Sequence, residues 1–352
     1  MIYIEENIKN LFRTKQPEGR AKYIRLDQNE NPDGLPKWFF DSVMSEITPA
    51  FISMYPEEGV FISKYAKYLG VKEEQLCITD GSVTAMGYVV RVFGNPKKNF
   101  LSVTPTFGMY KVYTDMIGMN NIQVPYEKDF TFKIETILNA IDENTGLVCL
   151  VNPNMPMGNV YKKEDIIKVI EKARKYDATV IIDEAYYYFY DQTCLDLVDK
   201  YDNVVLLRTF SKLFTLAGLR LGVVISNPKF TGYVEALKPH YTVNCVALLF
   251  AERILDNLPR VQKELEDNFN TGKEYVLNEL NKNNYEVLPS HGCFICIKAK
   301  NKTAEQIAQE LKDKYNILIL IGKGELSNYL RLTICNIKYM KLFMNALLEI
   351  DK

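Results

Sequence analysis

Short apolar runs rich in β-branched residues recur through the first two-thirds of the chain: QLCIT (75–79), NFLSVT (99–104), GLVCLV (146–151), ATVIID (178–183) and NVVLLRT (203–209). They are apolar nearly throughout instead of alternating, the pattern of parallel strands buried on both faces. Between and beyond them, SVTAMGYVVRVF (82–93), KKEDIIKVIEKARKY (162–176) and EYVLNELNKN (274–283) repeat their apolar positions at helical spacing. Strand–helix alternation of this kind predicts an α/β fold with a doubly wound, mostly parallel sheet. From about Asn244 the pattern shifts to long helices followed by PSHGCFICIKAK and ILILI, which predicts a second, smaller α+β domain.

Composition narrows the classes of function. A length of 352 residues suits two domains. With 47% hydrophobic and 25% charged residues the chain has the balance of a globular protein. A formal charge of −1 supplies no field to gather nucleic acid or an anionic membrane. No run approaches the ~18 apolar residues of a membrane span, and the first twenty residues are charged throughout, unlike a signal peptide. A cytoplasmic protein is expected. The seven cysteines are scattered and read as buried thiols, including the Cys293–Cys296 pair of a strand-like GCFICIKAK. Two histidines, His240 and His291, leave little material for a histidine metal site.

In open α/β sheets ligands bind beyond the carboxyl ends of the strands, and several polar clusters fall there. In RTFSKLFTLAGLRLG (208–222) a buried strand delivers Ser211 and Lys212 into a loop, with Arg220 eight residues on. Such a lysine, its pKa lowered by burial and nearby charge, can condense with an aldehyde; Ser211 and Arg220 can hold a phosphate. A solvated loop pair is the plainer reading. In VIIDEAYYYF (180–189), Asp183 closes an apolar strand and needs a cationic or donor partner: a protonated pyridine nitrogen, an arginine or a helix end. In TDGSVTAMGYVVRVF (79–93), Gly81 allows a tight strand-to-helix turn, and the following amides offer either an anion site or a simple cap.

Taken in order, LDQNENPDGLP (26–36), MYPEEG (54–59), DGSVTA (80–85), PTFGMY (105–110), NPNMPMGN (152–159), DEAYYYF (183–189), RTFSKLFTLAGLRLG (208–222) and NYLRLT (328–333) resemble the class I/II aminotransferases of pyridoxal 5′-phosphate (PLP) fold type I. The likeness is to the histidinol-phosphate aminotransferase branch. It implies an aspartate aminotransferase-like fold, with a large PLP-binding domain at 30–240 and a small domain from 1–29 and 241–352. By the same resemblance, Lys212 is the Schiff-base lysine and proton carrier, Asp183 the partner of the pyridine nitrogen, and Tyr186 the phenol at the cofactor's 3-oxygen. The amides of Ser82 and Val83, with Ser211 and Arg220, form the phosphate cradle, and Phe107 stacks on the ring. Tyr55 reaches the phosphate in the neighbouring subunit of a homodimer, and Arg331 binds the substrate's anionic group.

Two departures qualify the match. The family's Asn-Pro-Thr-Gly reads Met155-Pro156-Met157-Gly158, so a thioether replaces the amide donor to the 3-oxygen; Tyr186 alone, or Asn154 shifted inward, then supplies that contact. ILILIGKG (317–324) lacks the branch's phosphate-binding arginine, leaving Lys323 as a substitute, and the N-terminal stretch offers Arg20, Lys22 and Tyr23 near the mouth. The implied activity is transamination between an amino acid and a small phosphorylated or carboxylated carbonyl compound. The alternative is PLP-dependent decarboxylation of a phosphorylated amino acid. A ligand-sensing regulator built on this fold would add a basic helix-turn-helix, and none is written here.

Overall fold

The structure is a computed structural model that describes residues 2–9, 11, 15 and 18–352. Part of the 1–29 segment assigned to the small domain therefore lies outside the described residues. The strands are β1 (Ile24–Leu26), β2 (Leu76–Thr79), β3 (Asn99–Thr104), β4 (Asn120–Pro125), β5 (Thr145–Val151), β6 (Thr179–Asp183), β7 (Val204–Thr209), β8 (Gly222–Ser226), β9 (Val287–Leu288), β10 (Phe294–Lys298), β11 (Ile317–Ile321) and β12 (Tyr329–Thr333). Seven form one sheet in the order β2–β8–β7–β6–β5–β3–β4, and five form another in the order β1–β11–β12–β10–β9. The expected α/β architecture with a mostly parallel sheet is present.

The five predicted buried runs are β2, β3, β5, β6 and β7, each within one residue of its expected limits. β7, β6, β5, β3 and β4 run parallel, while β8 is antiparallel to both β2 and β7. Every residue of β5, β6 and β7 is buried. Alternate side chains go to opposite faces: Val148, Leu150, Val180 and Ile182 pack with Ile166, Val169 and Ile170, whereas Leu147, Cys149 and Ile181 pack with Ala85, Met86 and Val89. Helices on both faces leave these strands no solvent side, hence their unbroken apolar sequence. The helix Lys163–Arg174 spaces its buried residues three and four apart and carries Glu164 and Asp165 in its first turn, Lys172 and Arg174 in its last. That charge order complements the helix dipole.

The pattern does not announce β4 and β8. β4 is an edge strand with a half-polar sequence, and β8 follows the Lys212–Arg220 loop with no helix between to mark it.

The smaller sheet has its own core, where Leu26, Ile295, Ile297, Leu330 and Leu332 meet Ile307, Leu311, Phe343 and Leu347. The helix Leu258–Lys282 passes between the two cores: Val261 and Leu265 pack with the large sheet's residues, Val276 and Leu280 with the small sheet's. The helix Cys245–Asp256 also buries Ala247, Leu248 and Phe250 on the large-sheet side.

Candidate active site

The parallel strands β5, β6 and β7 end along one rim, and β2 ends beside them because β8 reverses direction between β2 and β7. Thr79 and Thr209 both face Gly222 across the ladder, which draws the loops after β2 and β7 together. A Cβ on Gly222 would fall 2.3 Å from the Ser82 amide nitrogen, so only glycine permits this approach. Gly81, at φ 95, makes the turn into the helix Ser82–Phe93. The first bonds of that helix run from the Thr84 and Ala85 amides to the Gly81 carbonyl. The Ser82 and Val83 N–H groups precede them and point out of the helix start.

The Arg220 guanidinium lies against Gly81: a Cβ there would meet Nη2 at 2.3 Å. Its Nη1 donates to the Ala217 carbonyl at 3.0 Å, and no carboxylate pairs with it among the described residues. Arg220 itself sits at φ 58, in the left-handed region, which turns its side chain back over the rim. The Ser211 hydroxyl is buried beside Thr209 at 2.9 Å. Two free amides at the positive end of a twelve-residue helix, a hydroxyl and an unpaired guanidinium make a donor set that fits a phosphate.

Asp183 ends β6, fully buried. Its carboxylate accepts from the Tyr110 hydroxyl at 2.9 Å and the Ala185 amide at 3.0 Å, and from no cation among the described residues. Burial raises its pKa to about 6 despite those two bonds. A buried carboxylate short of a positive partner suits a protonated ring nitrogen. Lys212 is placed just as incompletely. Among the described residues its Nζ reaches only the Gln28 carbonyl, at 3.5 Å, and it lies 5.6 Å from the centre of the Tyr186 ring. Burial holds its pKa below the ordinary lysine value, with the neighbouring Arg331 and Arg220 guanidinia acting the same way against Cys293 and Glu30. An amine in this state is available as a nucleophile and proton carrier.

The small sheet closes the other side. The Tyr186 hydroxyl accepts from Asn29 Nδ2 at 2.7 Å, and Asn29 N donates to Thr333 Oγ1 at 3.0 Å. Arg331, on β12 and 7% exposed, donates through Nη2 to the Asp27 carbonyl at 2.8 Å and contacts Met155 Sδ through Nη1 at 2.7 Å. Its Nε is buried without a partner. The guanidinium thus faces a neutral thioether and carries a spare N–H, the condition of an arginine built to receive an anion.

Not every expected residue gathers here with a free hand. Asn154 is buried, and both of its amide hydrogens are taken, by the Pro105 carbonyl at 3.0 Å and the Tyr126 hydroxyl at 2.9 Å; it has no N–H to offer a cofactor and has not shifted inward. Arg20 is tied to Asp27 at 2.6 Å and to Glu30 at 3.0 Å. Lys323 is exposed, three residues past the Leu320–Arg331 pair. Tyr23 is half-buried, with Lys22 Nζ 5.1 Å from its ring centre. Phe107 is half-buried against the helix face that carries Ala85 and Met86. Tyr55 is 77% exposed and stacks on Tyr241 at 4.6 Å.

Four residues escape the sequence reading although they sit inside the quoted motifs: Asn29 in LDQNENPDGLP, Tyr110 in PTFGMY, and the paired Glu184 and Arg208. Arg208 and Glu184 are both fully buried and joined at 2.8 Å. Glu184 also accepts from the Cys194 amide and Thr193, while the Arg208 guanidinium lies 3.9 Å from the Tyr187 ring centre. Only Glu184, directly after Asp183, adjoined a recognised residue and so carried a local signal.

The family model described as aminotransferase class I and II matches residues 21–347. The chain belongs to that family. The "Histidinol-phosphate aminotransferase" of Caldanaerobacter subterraneus subsp. tengcongensis is 31% identical over 353 residues, covering 99% of this chain and 98% of that relative. Among solved structures, the histidinol-phosphate aminotransferase of Sinorhizobium meliloti in complex with pyridoxal-5′-phosphate has a TM-score of 0.87 at 21% identity, covering 99% of this chain and 97% of the other. The L-threonine-O-3-phosphate decarboxylase of Porphyromonas gingivalis superposes with a TM-score of 0.79 at 22% identity, covering 93% and 98%.

Proposed function

We propose that this chain is a PLP-dependent aminotransferase that passes an amino group from an amino acid to a small carbonyl compound carrying a carboxylate or phosphate. One observation carries the reading: adjacent strands β6 and β7 lead to a buried carboxylate without a cation and a half-buried lysine without a good acceptor among the described residues. Each needs what PLP supplies.

Bound there, PLP contributes an aldehyde that joins amines and a protonated ring that accepts the electron pair released at the substrate carbon. The chain's own residues do the rest. The Ser82 and Val83 amides, the Ser211 hydroxyl and the Arg220 guanidinium would hold the phosphate. Asp183, fixed by Tyr110 and Ala185, would keep the ring nitrogen protonated; a partner cation draws its pKa back down from about 6. Phe107 would cover one ring face. Tyr186 would donate to the 3-oxygen. Lys212 would hold the aldehyde between turnovers and carry the proton at the reacting carbon, its lowered pKa keeping a neutral amine within reach. Arg331 would orient the substrate through its anionic group. The work falls on a large unit built on the β2–β8 sheet and a small unit built on the β1–β12 sheet, with the helix Leu258–Lys282 passing from one to the other.

We further infer a cytoplasmic homodimer in which Tyr55, exposed here, reaches the neighbouring subunit's cofactor phosphate. Glutamate as donor and histidinol phosphate, named for the Caldanaerobacter relative, head the amines to be screened. With Arg20 held by Asp27 and Glu30, Tyr23 and Lys323 remain the candidates for a second anionic group. The decarboxylase reading keeps one specific support, the Met155 thioether in place of an amide donor beside Arg331. A stopped-flow screen of amines against the holoenzyme separates the two. Transamination leaves the cofactor in its amine form; decarboxylation releases carbon dioxide and returns the aldehyde. No spectral response to any amine, with no cofactor on Lys212, refutes both.

A further inference from the structure

The Tyr186 hydroxyl sits where two donors are missing. Met155 offers sulfur and no hydrogen, and its sulfur is turned to Arg331 Nη1. Asn154 has given both N–H groups to the Pro105 carbonyl and Tyr126. Tyr186 is buried, and its oxygen accepts from Asn29 Nδ2 at 2.7 Å. A phenol has one hydrogen. With its oxygen already taken as an acceptor by Asn29, that hydrogen points away from the amide, and no acceptor receives it among the described residues. Asn29 is itself fixed: its backbone amide donates to Thr333 Oγ1 at 3.0 Å, its φ is 57, and its Oδ1 is buried without a partner, so the side chain is oriented by the bond to Tyr186.

We propose that Asn29 is a positioning residue for transamination: by donating to Tyr186 it aims the phenol's only proton at the 3-oxygen of the cofactor, in place of the amide donor that Met155 does not supply. The inference rests on the PLP reading of the site. Its chemical consequence is specific. A proton donated to the 3-oxygen favours the ionised oxygen and so lowers the pH at which the lysine-linked cofactor loses its proton. Asn29 therefore sets that midpoint, through Tyr186 and not by contact.

The test is a spectrophotometric pH titration of the holoenzyme. Borohydride reduction and mass spectrometry first place the adduct on Lys212; failure at this stage defeats the PLP reading and the role of Asn29 with it, whereas a labelled Lys212 with an unmoved midpoint defeats the role of Asn29 alone. Asn29→Gly removes the amide at a backbone angle that glycine tolerates, and Asn29→Asp covers the case in which the glycine variant does not fold. Either should raise the midpoint by about half to one pH unit, ~0.7–1.4 kcal/mol at 1.36 kcal/mol per unit. Tyr186→Phe should raise it at least as far, and adding the Asn29 substitution to Tyr186→Phe should then add nothing. An unmoved midpoint in the Asn29 variants overturns the proposal. So does a rise that persists in full in the Tyr186→Phe background, because Asn29 would then act on the cofactor by another route.

Discussion

Replacing Asp183 by Asn should make the cofactor-free protein more stable at neutral pH while disabling it as an enzyme. In the folded chain burial lifts Asp183 from the ordinary 3.8 to about 6. That gap of about two pH units, at 1.36 kcal/mol per unit, means that ionising Asp183 in the fold costs roughly 3 kcal/mol. The sign follows from proton uptake. Between pH 4 and 6, roughly, the native state holds more protons than the unfolded chain, so stability falls as pH rises through that window and is flat above it. The substituted amide would keep the shape, accept from the Ala185 amide and donate to Tyr110, and has nothing to ionise. Without cofactor, Asp183→Asn should therefore melt about 2–6 °C above the wild type at pH 7.5, with the advantage gone near pH 4. With PLP the order should reverse, because the wild-type carboxylate gains its cation, and turnover of the variant should fall by about a hundredfold or more. Thermal melts of both proteins at the two pH values, with and without cofactor, decide it. A cofactor-free variant less stable at both pH values, or an advantage independent of pH, refutes the argument.

Lys212→Ala should fold and bind PLP without a borohydride-reducible link, and peptide mapping of the reduced wild type should find the adduct on Lys212 alone. Gly81→Ala would push a methyl into the space of Arg220 Nη2, 2.3 Å away, at a φ of 95; PLP affinity measured by fluorescence should drop about tenfold or more, with the fold retained. Arg331→Lys keeps the charge and loses the fork, so kcat/KM should fall about tenfold, ~1.4 kcal/mol, while PLP affinity is unchanged. Mixing inactive Lys212→Ala and Tyr55→Ala proteins under subunit exchange should restore up to about a quarter of wild-type activity, since each hybrid dimer contains one intact site; no recovery refutes the shared site.

The strands that position the site were legible because burial on both faces leaves a distinctive run of apolar residues. Asp183 was legible because a carboxylate that closes an apolar run is costly without a partner, while Lys212, three residues past β7, and Arg220, eight residues further on, stood out through the resemblance of their segment. What could not be read was pairing across distance. Asn29 meets Tyr186 over 157 residues of chain and Tyr110 meets Asp183 over 73, separations that no local periodicity encodes. Arg20 shows the reverse case. Its type and position near the mouth suggest an anion receptor, but Asp27 and Glu30, both close by in sequence, have already claimed it.

The buried Glu184–Arg208 pair bears on how the chain avoids assembling this rim wrongly. Asp183 and Glu184 are consecutive and point to opposite sides of their strand, one toward Tyr110 and the other toward Arg208. A slip of one residue would exchange two carboxylates of nearly equal size, and the apolar strands β6 and β7 would object little, since both of their faces are oily. Arg208 makes the two arrangements unequal. In the observed pairing Glu184 meets its guanidinium at 2.8 Å and also accepts from Thr193 and the Cys194 amide; in the slipped one the carboxylate turned toward it would be Asp183, one methylene shorter, and those bonds would be lost. The pair therefore favours one alignment, the one that turns Asp183 toward Tyr110.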